Sequence, residues 1–157
     1  MTRAQRYLTM LRRRPDNLDT YYYTAFYLIS SDDMLSEQFY KYISHEGIDF
    51  SSMLQECTGI DDRQRKILSI AHNLFNNINP CDVTPNEIAN IGYPYVNDVC
   101  DAMLIASGQA LPQIIVNDSG EQILSLDKSK GDQLEKYYNA FFNMANTSYD
   151  DDVDMEQ

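Results

Sequence analysis

The chain contains few of the residues on which common metal and catalytic sites depend. It has no tryptophan, two histidines and three cysteines among 157 residues. Cys57, Cys81 and Cys100 are widely spaced, form no Cys-x-x-Cys pair, and have no histidine placed to complete a zinc-binding set. These absences predict buried free thiols in a reducing compartment. They also predict that the protein holds no metal and no cofactor.

Long apolar runs are missing as well. No segment approaches the roughly 18 consecutive apolar residues that a membrane-spanning helix needs. The arginines near the amino terminus are not followed by the apolar core of a signal peptide. We therefore expect a cytoplasmic protein without a membrane partner.

Positive charge is scarce and unevenly distributed. Acidic residues number 24 and basic residues 12, so the formal net charge is −12. Five bases lie within the first fourteen residues, where there is no acid: Arg3, Arg6, Arg12, Arg13 and Arg14. Beyond them, 7 bases face all 24 acids. This balance disfavours direct binding of a nucleic-acid duplex and favours a basic protein surface as partner.

Hydrophobic periodicity predicts a mainly α protein, a compact helical bundle in a single domain over residues 1–146. Residues that commonly cap helix N-termini precede most of the apolar stretches. They are Thr2, Asp19, one of Ser31 to Asp33, either Asp61 or Asp62, and Thr84. Thr84 opens the clearest signal, because a proline at the first helical position and a glutamate at the third complete a capping box.

Two segments near the carboxyl end differ from the rest. Apolar runs on either side of a turn at 117–120 predict one small β-hairpin near residues 113–125, which must pack on the helices or pair with a partner's strand. A last helix is expected after Asp132. Its apolar residues are Leu134, Tyr137, Tyr138, Phe141 and Phe142. The acidic segment 147–157 has almost nothing to bury and is predicted to be a disordered tail.

The two histidines are the first candidates for acid–base chemistry. His45 lies at a predicted helix end and His72 in the middle of a helix. No serine elbow, phosphate-binding loop or metal pattern accompanies either residue. We therefore predict no catalytic residue and no enzyme activity, with a small enzyme using His45 or His72 as an alternative.

Acids and tyrosines are the candidates for partner binding. The set is Asp32, Asp33, Glu37, Asp61, Asp62, Asp98, Asp101, Tyr21 and Tyr23. The acids at 32–33 and 61–62 stand where helices begin and can equally act as caps, while Asp98 and Asp101 are expected on one exposed helix side. Consecutive tyrosines at 21–23 point in different directions, so at least one is expected at the surface.

The other interpretation of the tyrosines involves the first helix. Its arginine side chains can pack on tyrosine rings through cation–π contacts. The arginines themselves are expected to pair with the acidic body or to meet an anionic ligand at this end of the chain. Sequence alone does not decide whether the tyrosines bind a partner or pack on the first helix. It also does not decide whether the arginines pair with the acidic body or bind an anionic ligand.

Two stretches carry a resemblance to a known family. Residues 19–44, which include Ala25-Phe26-Tyr27-Leu28-Ile29-Ser30, and the stretch Ile70-Ala71-His72-Asn73-Leu74-Phe75-Asn76 are similar to small helical proteins of low-GC Gram-positive bacteria and their mobile elements. The similarity covers residues 19–107. It implies a helical fold and a bacterial or phage context, and it lends no functional residues because that family has no established activity.

Acidity in that context suggests a function by analogy. Small acidic proteins of phages resemble inhibitors of host defence nucleases, including anti-CRISPR proteins. Such an inhibitor would act in the host cytoplasm and mimic DNA by occupying a basic nucleic-acid-binding surface. DNA mimicry requires acids on one face, since about 30 Å of duplex presents roughly 18 charges. The alternative is a self-associating scaffold that uses the tyrosine-rich helices or the hairpin edge.

Overall fold

The helices begin largely where the sequence supplies capping residues. A computed structural model describes residues 1–13 and 18–150, with side chains up to 144. It is mainly helical with one two-stranded antiparallel hairpin, as the sequence predicts. The elements are α1 Arg3–Arg13, α2 Thr20–Ile29, α3 Asp33–Phe39, α4 Phe50–Glu56, α5 Asp62–Phe75, α6 Pro85–Ala89, α7 Tyr95–Ala106, β1 Leu111–Val116, β2 Gln122–Asp127 and α8 Ser129–Asp150.

Five predicted caps are confirmed by their hydrogen bonds, and the first is Thr2, whose hydroxyl accepts from the backbone N–H of Gln5 in α1. Asp19 accepts from the first turn of α2, and Asp32 accepts from the backbone N–H of Leu35 at the start of α3. Asp61 and Thr84 each form a full capping box, at α5 and α6. Side-chain caps of this kind satisfy backbone N–H groups that have no partner within the helix.

Helix α2 forms the centre of the molecule. It packs against α5 and α7 on one side and against α1, α3 and β1 elsewhere. Phe26, Leu28 and Ile29 have no exposed surface. A helix that is apolar around most of its circumference is stable only when neighbours cover it, and α2 has such neighbours.

The hairpin packs on the helices, which decides between the two predicted arrangements. Ile114 pairs with Leu124 and both are half-buried towards the body, whereas the Ile115–Ile123 pair faces outward. At the turn, the Asn117 side chain accepts from the backbone of residues 119 and 121. Gly120 adopts a φ of +79°, a conformation that glycine tolerates without strain.

Helix α8 begins at Ser129, earlier than the start after Asp132 that the sequence predicts. Asp127 at the end of β2 accepts from the backbone N–H of Ser129, so the strand passes directly into the helix. Helix α8 continues to Asp150. The tail predicted for 147–157 therefore falls on the end of this helix and on residues 151–157, which lie outside the described residues.

No helix among the described residues is both long enough and apolar enough to span a membrane.

Candidate protein-binding surfaces

Arg3 joins three helices through a part-buried contact that includes the predicted site residue Asp98. Its Nη1 lies 2.5 Å from Oδ1 of Asp98 on α7, and its Nη2 donates to the backbone oxygen of Tyr27 on α2. The guanidinium carbon also lies 4.4 Å from the centre of the Tyr27 ring. Asp98 is only 4% exposed, so the prediction that it faces solvent beside Asp101 is wrong. Helix α1 covers it because Arg3 neutralises its charge.

The surroundings of this contact shift the pKa values of Asp98 and Tyr27. Burial raises the pKa of Asp98 above its ordinary value, although Arg3 acts in the opposite direction. Burial also raises the pKa of the Tyr27 hydroxyl, which donates to Asp101 over 3.1 Å. Asp101 accepts a second contact from Lys128 at 3.1 Å. These two acids therefore connect parts of this chain, and Asp98 is unavailable to a partner.

Asp32 is also buried, contrary to its predicted role in partner binding. Besides capping α3, it accepts from Nε2 of Gln64 at 3.0 Å to each carboxylate oxygen and from the Tyr95 hydroxyl at 3.3 Å. The beginnings of α3, α5 and α7 thus meet at one carboxylate. Its burial follows from this convergence of three helices, which spacing along the sequence does not reveal.

Four other predicted acids do reach the surface near this junction. We call Asp33, Glu37, Asp61 and Asp62 the acidic edge; all four are exposed. Cations of the chain accompany them. Asp33 pairs with Arg6, Asp61 lies 3.5 Å from Arg63, and Asp62 lies 2.8 Å from Lys66.

The predicted acids therefore form two groups rather than one dense anionic surface. One group lies where α3 and α5 begin, and the other lies on α7. Both groups include paired lysines or arginines, which reduce the field that a partner would meet.

The arginine-rich first helix pairs mainly with the body of the protein. Arg6 is buried and donates to the backbone oxygens of Met1 and Ser30 as well as to Asp33. Arg13 donates to the backbone oxygen of Tyr40. Of the two predicted roles, intramolecular pairing holds for Arg3 and Arg6. Arg14 lies outside the described residues.

The tyrosines of α2 divide between the two predicted roles. Tyr21 is 50% exposed, in agreement with the expectation that one ring of the run reaches solvent. Tyr22 is buried, and Tyr23 is half-buried beside Tyr7 and the first strand. Tyr27 packs under Arg3.

The histidines lie in unlike surroundings. His72 stacks on Phe50 with ring centres 4.8 Å apart, and the side-chain amide of Asn79 lies 2.7 Å from its Nε2. Burial lowers its pKa, which favours the neutral ring. His45 is exposed, with its Nε2 3.9 Å from Glu46. An aromatic ring and an amide thus hold His72 in place.

Within the described part of the chain, no three His, Cys, Asp or Glu residues gather closely enough to hold a metal ion. All three cysteines are free thiols. Cys57 is buried as predicted, but Cys100 is exposed because it lies on the outer side of α7.

Among the described residues, the largest group of exposed apolar side chains on one element lies on α8. Leu134, Tyr137, Tyr138, Phe141 and Phe142 are between 51% and 75% exposed. We call these five residues the α8 apolar face. In the described residues, no other helix or strand lies along α8. The periodicity was visible in the sequence, but nothing in it indicated that this helix would remain uncovered.

A groove of about 610 Å³ lies where the base of α8 meets the body of the protein. The backbone N–H of Gly131 donates to the backbone oxygen of Gln109 over 3.1 Å. A Cβ at Gly131 would lie 3.2 Å from that oxygen, so glycine permits the close approach. The groove is lined by Leu104 of α7 together with Leu134 and Tyr138 of the α8 apolar face. The apolar surface therefore continues from α8 onto the body.

Comparisons with protein-family models, with curated proteins and with solved structures find no match to this chain.

Proposed function

We propose that this protein is a non-catalytic protein-binding module, and that the α8 apolar face is its principal binding surface. The observation that carries the proposal is the exposure of four aromatic rings on one side of a helix. Contiguous apolar surface on this scale commonly marks an interaction site. Tyrosine and phenylalanine are also enriched at the centres of protein interfaces.

The magnitude of the exposed surface supports this function. An aromatic side chain buries about 150–250 Å² when covered, so the exposed parts of four rings amount to about 500 Å². At about 25 cal/mol per Å², covering them would contribute on the order of 10 kcal/mol before the costs of association. Leaving such a surface in water is unfavourable, and a partner removes that cost.

Competitive capture tests the proposal. The tagged chain is incubated with a bacterial lysate that also contains its own untagged copy, and bound proteins are identified by mass spectrometry. We expect at least one protein to be retained by the native chain and lost from Phe141→Glu. Asn139→Glu is the matched control, because it adds the same charge on the polar side of α8. Equal retention by all three chains would overturn the proposal.

A second candidate function rests on the acidic edge. Asp33, Glu37, Asp61 and Asp62 are exposed near the junction of α3 and α5, and the chain has a net charge of −12. These features support an inhibitor that occupies a basic nucleic-acid-binding surface of a host nuclease, as anti-CRISPR proteins of phages do. Electrostatic association of this kind is fast and sensitive to salt.

Charge-removing substitutions test this second candidate separately. Asp61→Asn combined with Asp62→Asn removes two charges, and asparagine still caps α5. The control carries Asp118→Asn with Asp132→Asn, which removes two charges elsewhere. Inhibition of purified bacterial nucleases should weaken only in the first variant and should fall as salt rises. An equal response from both variants would count against the acidic edge.

A further inference from the structure

We infer that the α8 apolar face is covered by α8 of a second copy of this chain, with the two helices antiparallel. The inference rests on the proposed function and adds the identity of the occupant. The surface area agrees with such a pairing. Two faces of about 500 Å² each bury about 1,000 Å², which meets the lower limit for a specific interface.

The pattern of the face is self-complementary. Its residues stand at positions i, i+3, i+4, i+7 and i+8, counted from Leu134. This spacing forms one stripe along a helix and lets side chains of a facing helix interdigitate. A helix of 22 residues is about 33 Å long, so the partner helix finds room alongside it. A twofold axis near Tyr138 places Leu134 of one copy opposite Phe142 of the other.

Charge along α8 selects the antiparallel orientation. The charges around its first turns cancel, because Lys128, Lys130 and Lys136 stand among Asp127, Asp132 and Glu135. Its other end is acidic. The acids there in the sequence are Asp150, Asp151, Asp152, Asp154 and Glu156. A parallel pair brings the two acidic ends together, whereas an antiparallel pair brings each acidic end towards the electrically neutral beginning of the other helix.

Sterics favour the same orientation. The body of each copy is attached at the first turn of α8 through Gly131 and Gln109. A parallel pair would place two bodies at the same end of the helices, where they compete for space. An antiparallel pair places them at opposite ends and leaves both grooves at the helix bases open towards the partner.

Sedimentation of the full chain tests the pairing. We expect a dimer of twice 18.1 kDa at micromolar concentration. Phe141→Glu should weaken dimerisation about 100-fold or more, since it places a charge within the apolar interface in both copies. Asn139→Glu should leave the dimer intact. Because residue 141 is exposed, circular dichroism should show unchanged helicity in the variant.

Two outcomes overturn the inference. One is a native chain that sediments as a monomer throughout the micromolar range, and the other is a dimer that survives Phe141→Glu. Capture of a different protein that depends on residue 141 would then preserve the proposed function while the second copy is excluded. If the native chain captures neither its own copy nor a different protein, both the pairing and the proposed function are rejected.

Cysteine cross-linking tests the orientation. Residues 134 and 142 are about 12 Å apart along a helix, and a disulfide needs Cα atoms within about 7 Å. Leu134→Cys alone should therefore form no cross-link at this position, while a mixture of Leu134→Cys and Phe142→Cys copies should form one. The native chain, oxidised in parallel, accounts for its own three thiols. Self-linking of Leu134→Cys would overturn the antiparallel arrangement.

Discussion

Helices α2 and α8 both present aromatic residues at helical spacing, yet one is enclosed and the other is not. Phe26 of α2 has no exposed surface, whereas Phe141 of α8 is largely in solvent. Neighbouring helices and the hairpin surround α2, while α8 is held by contacts at its base. The comparison shows that an apolar stripe identifies a helix but does not identify what covers it.

Truncating one aromatic ring in each helix should give the largest difference in the free energy of unfolding. Phe26→Ala should reduce the free energy of unfolding by about 4 kcal/mol, because it leaves a cavity in the core. Phe141→Ala should change it by less than about 0.5 kcal/mol when the chain is dilute enough to be monomeric. Urea unfolding followed by circular dichroism measures both. Similar losses would show that this chain itself covers α8.

Removing the Arg3 contact that joins α1 to α2 and α7 should cause the next largest loss of unfolding free energy. Arg3→Met keeps much of the side-chain volume but leaves Asp98 buried without its cation, so we expect a loss of about 3 kcal/mol. Adding Asp98→Asn to that variant should recover part of the loss, since no buried charge remains. Thermal unfolding of the single and double variants measures this coupling. Strict additivity of the two changes would contradict the role assigned to the pair.

The buried carboxyl of Asp98 should alter the pH dependence of stability. Burial raises its pKa in the folded state above the ordinary value. The folded protein therefore holds this proton at a pH where the unfolded chain has lost it, so lowering the pH through that range increases stability.

Asp98→Asn removes this contribution. From about pH 7 to about pH 4, the stability of the native chain should rise relative to the variant. Urea unfolding at several pH values tests the sign. A difference that shrinks towards acid pH would show that the ion pair with Arg3 outweighs burial.

The smallest loss of stability is expected from a substitution where α8 begins. Asp127→Ala removes the acceptor for the backbone N–H of Ser129, at a cost of about 1 kcal/mol. Because few tertiary contacts hold α8, the loss should appear as faster amide hydrogen exchange in its first turns. Amides of α2 should exchange unchanged, and Asp127→Asn should behave like the native chain. Faster exchange in both helices would show that they unfold together.

Local signals in the sequence were sufficient for much of the fold. Asp19, Asp61 and Thr84 begin helices as predicted, because a cap depends only on residues within one turn. The hairpin also lies where its turn residues predict. The resemblance to helical proteins of Gram-positive bacteria stays a prediction, as does the inhibitor function.

The candidate site was less predictable because burial depends on distant residues. Asp98 and Asp33 are both acids near helix starts, but Arg3 approaches one from 95 positions away and buries it, while the other stays exposed. The sequence by itself determined the helices, their caps, the hairpin and the net charge, all of which follow from neighbouring residues or from composition. Only the tertiary structure decided which acids reach solvent and that no other described element covers α8, because both depend on where elements far apart in the chain come to lie.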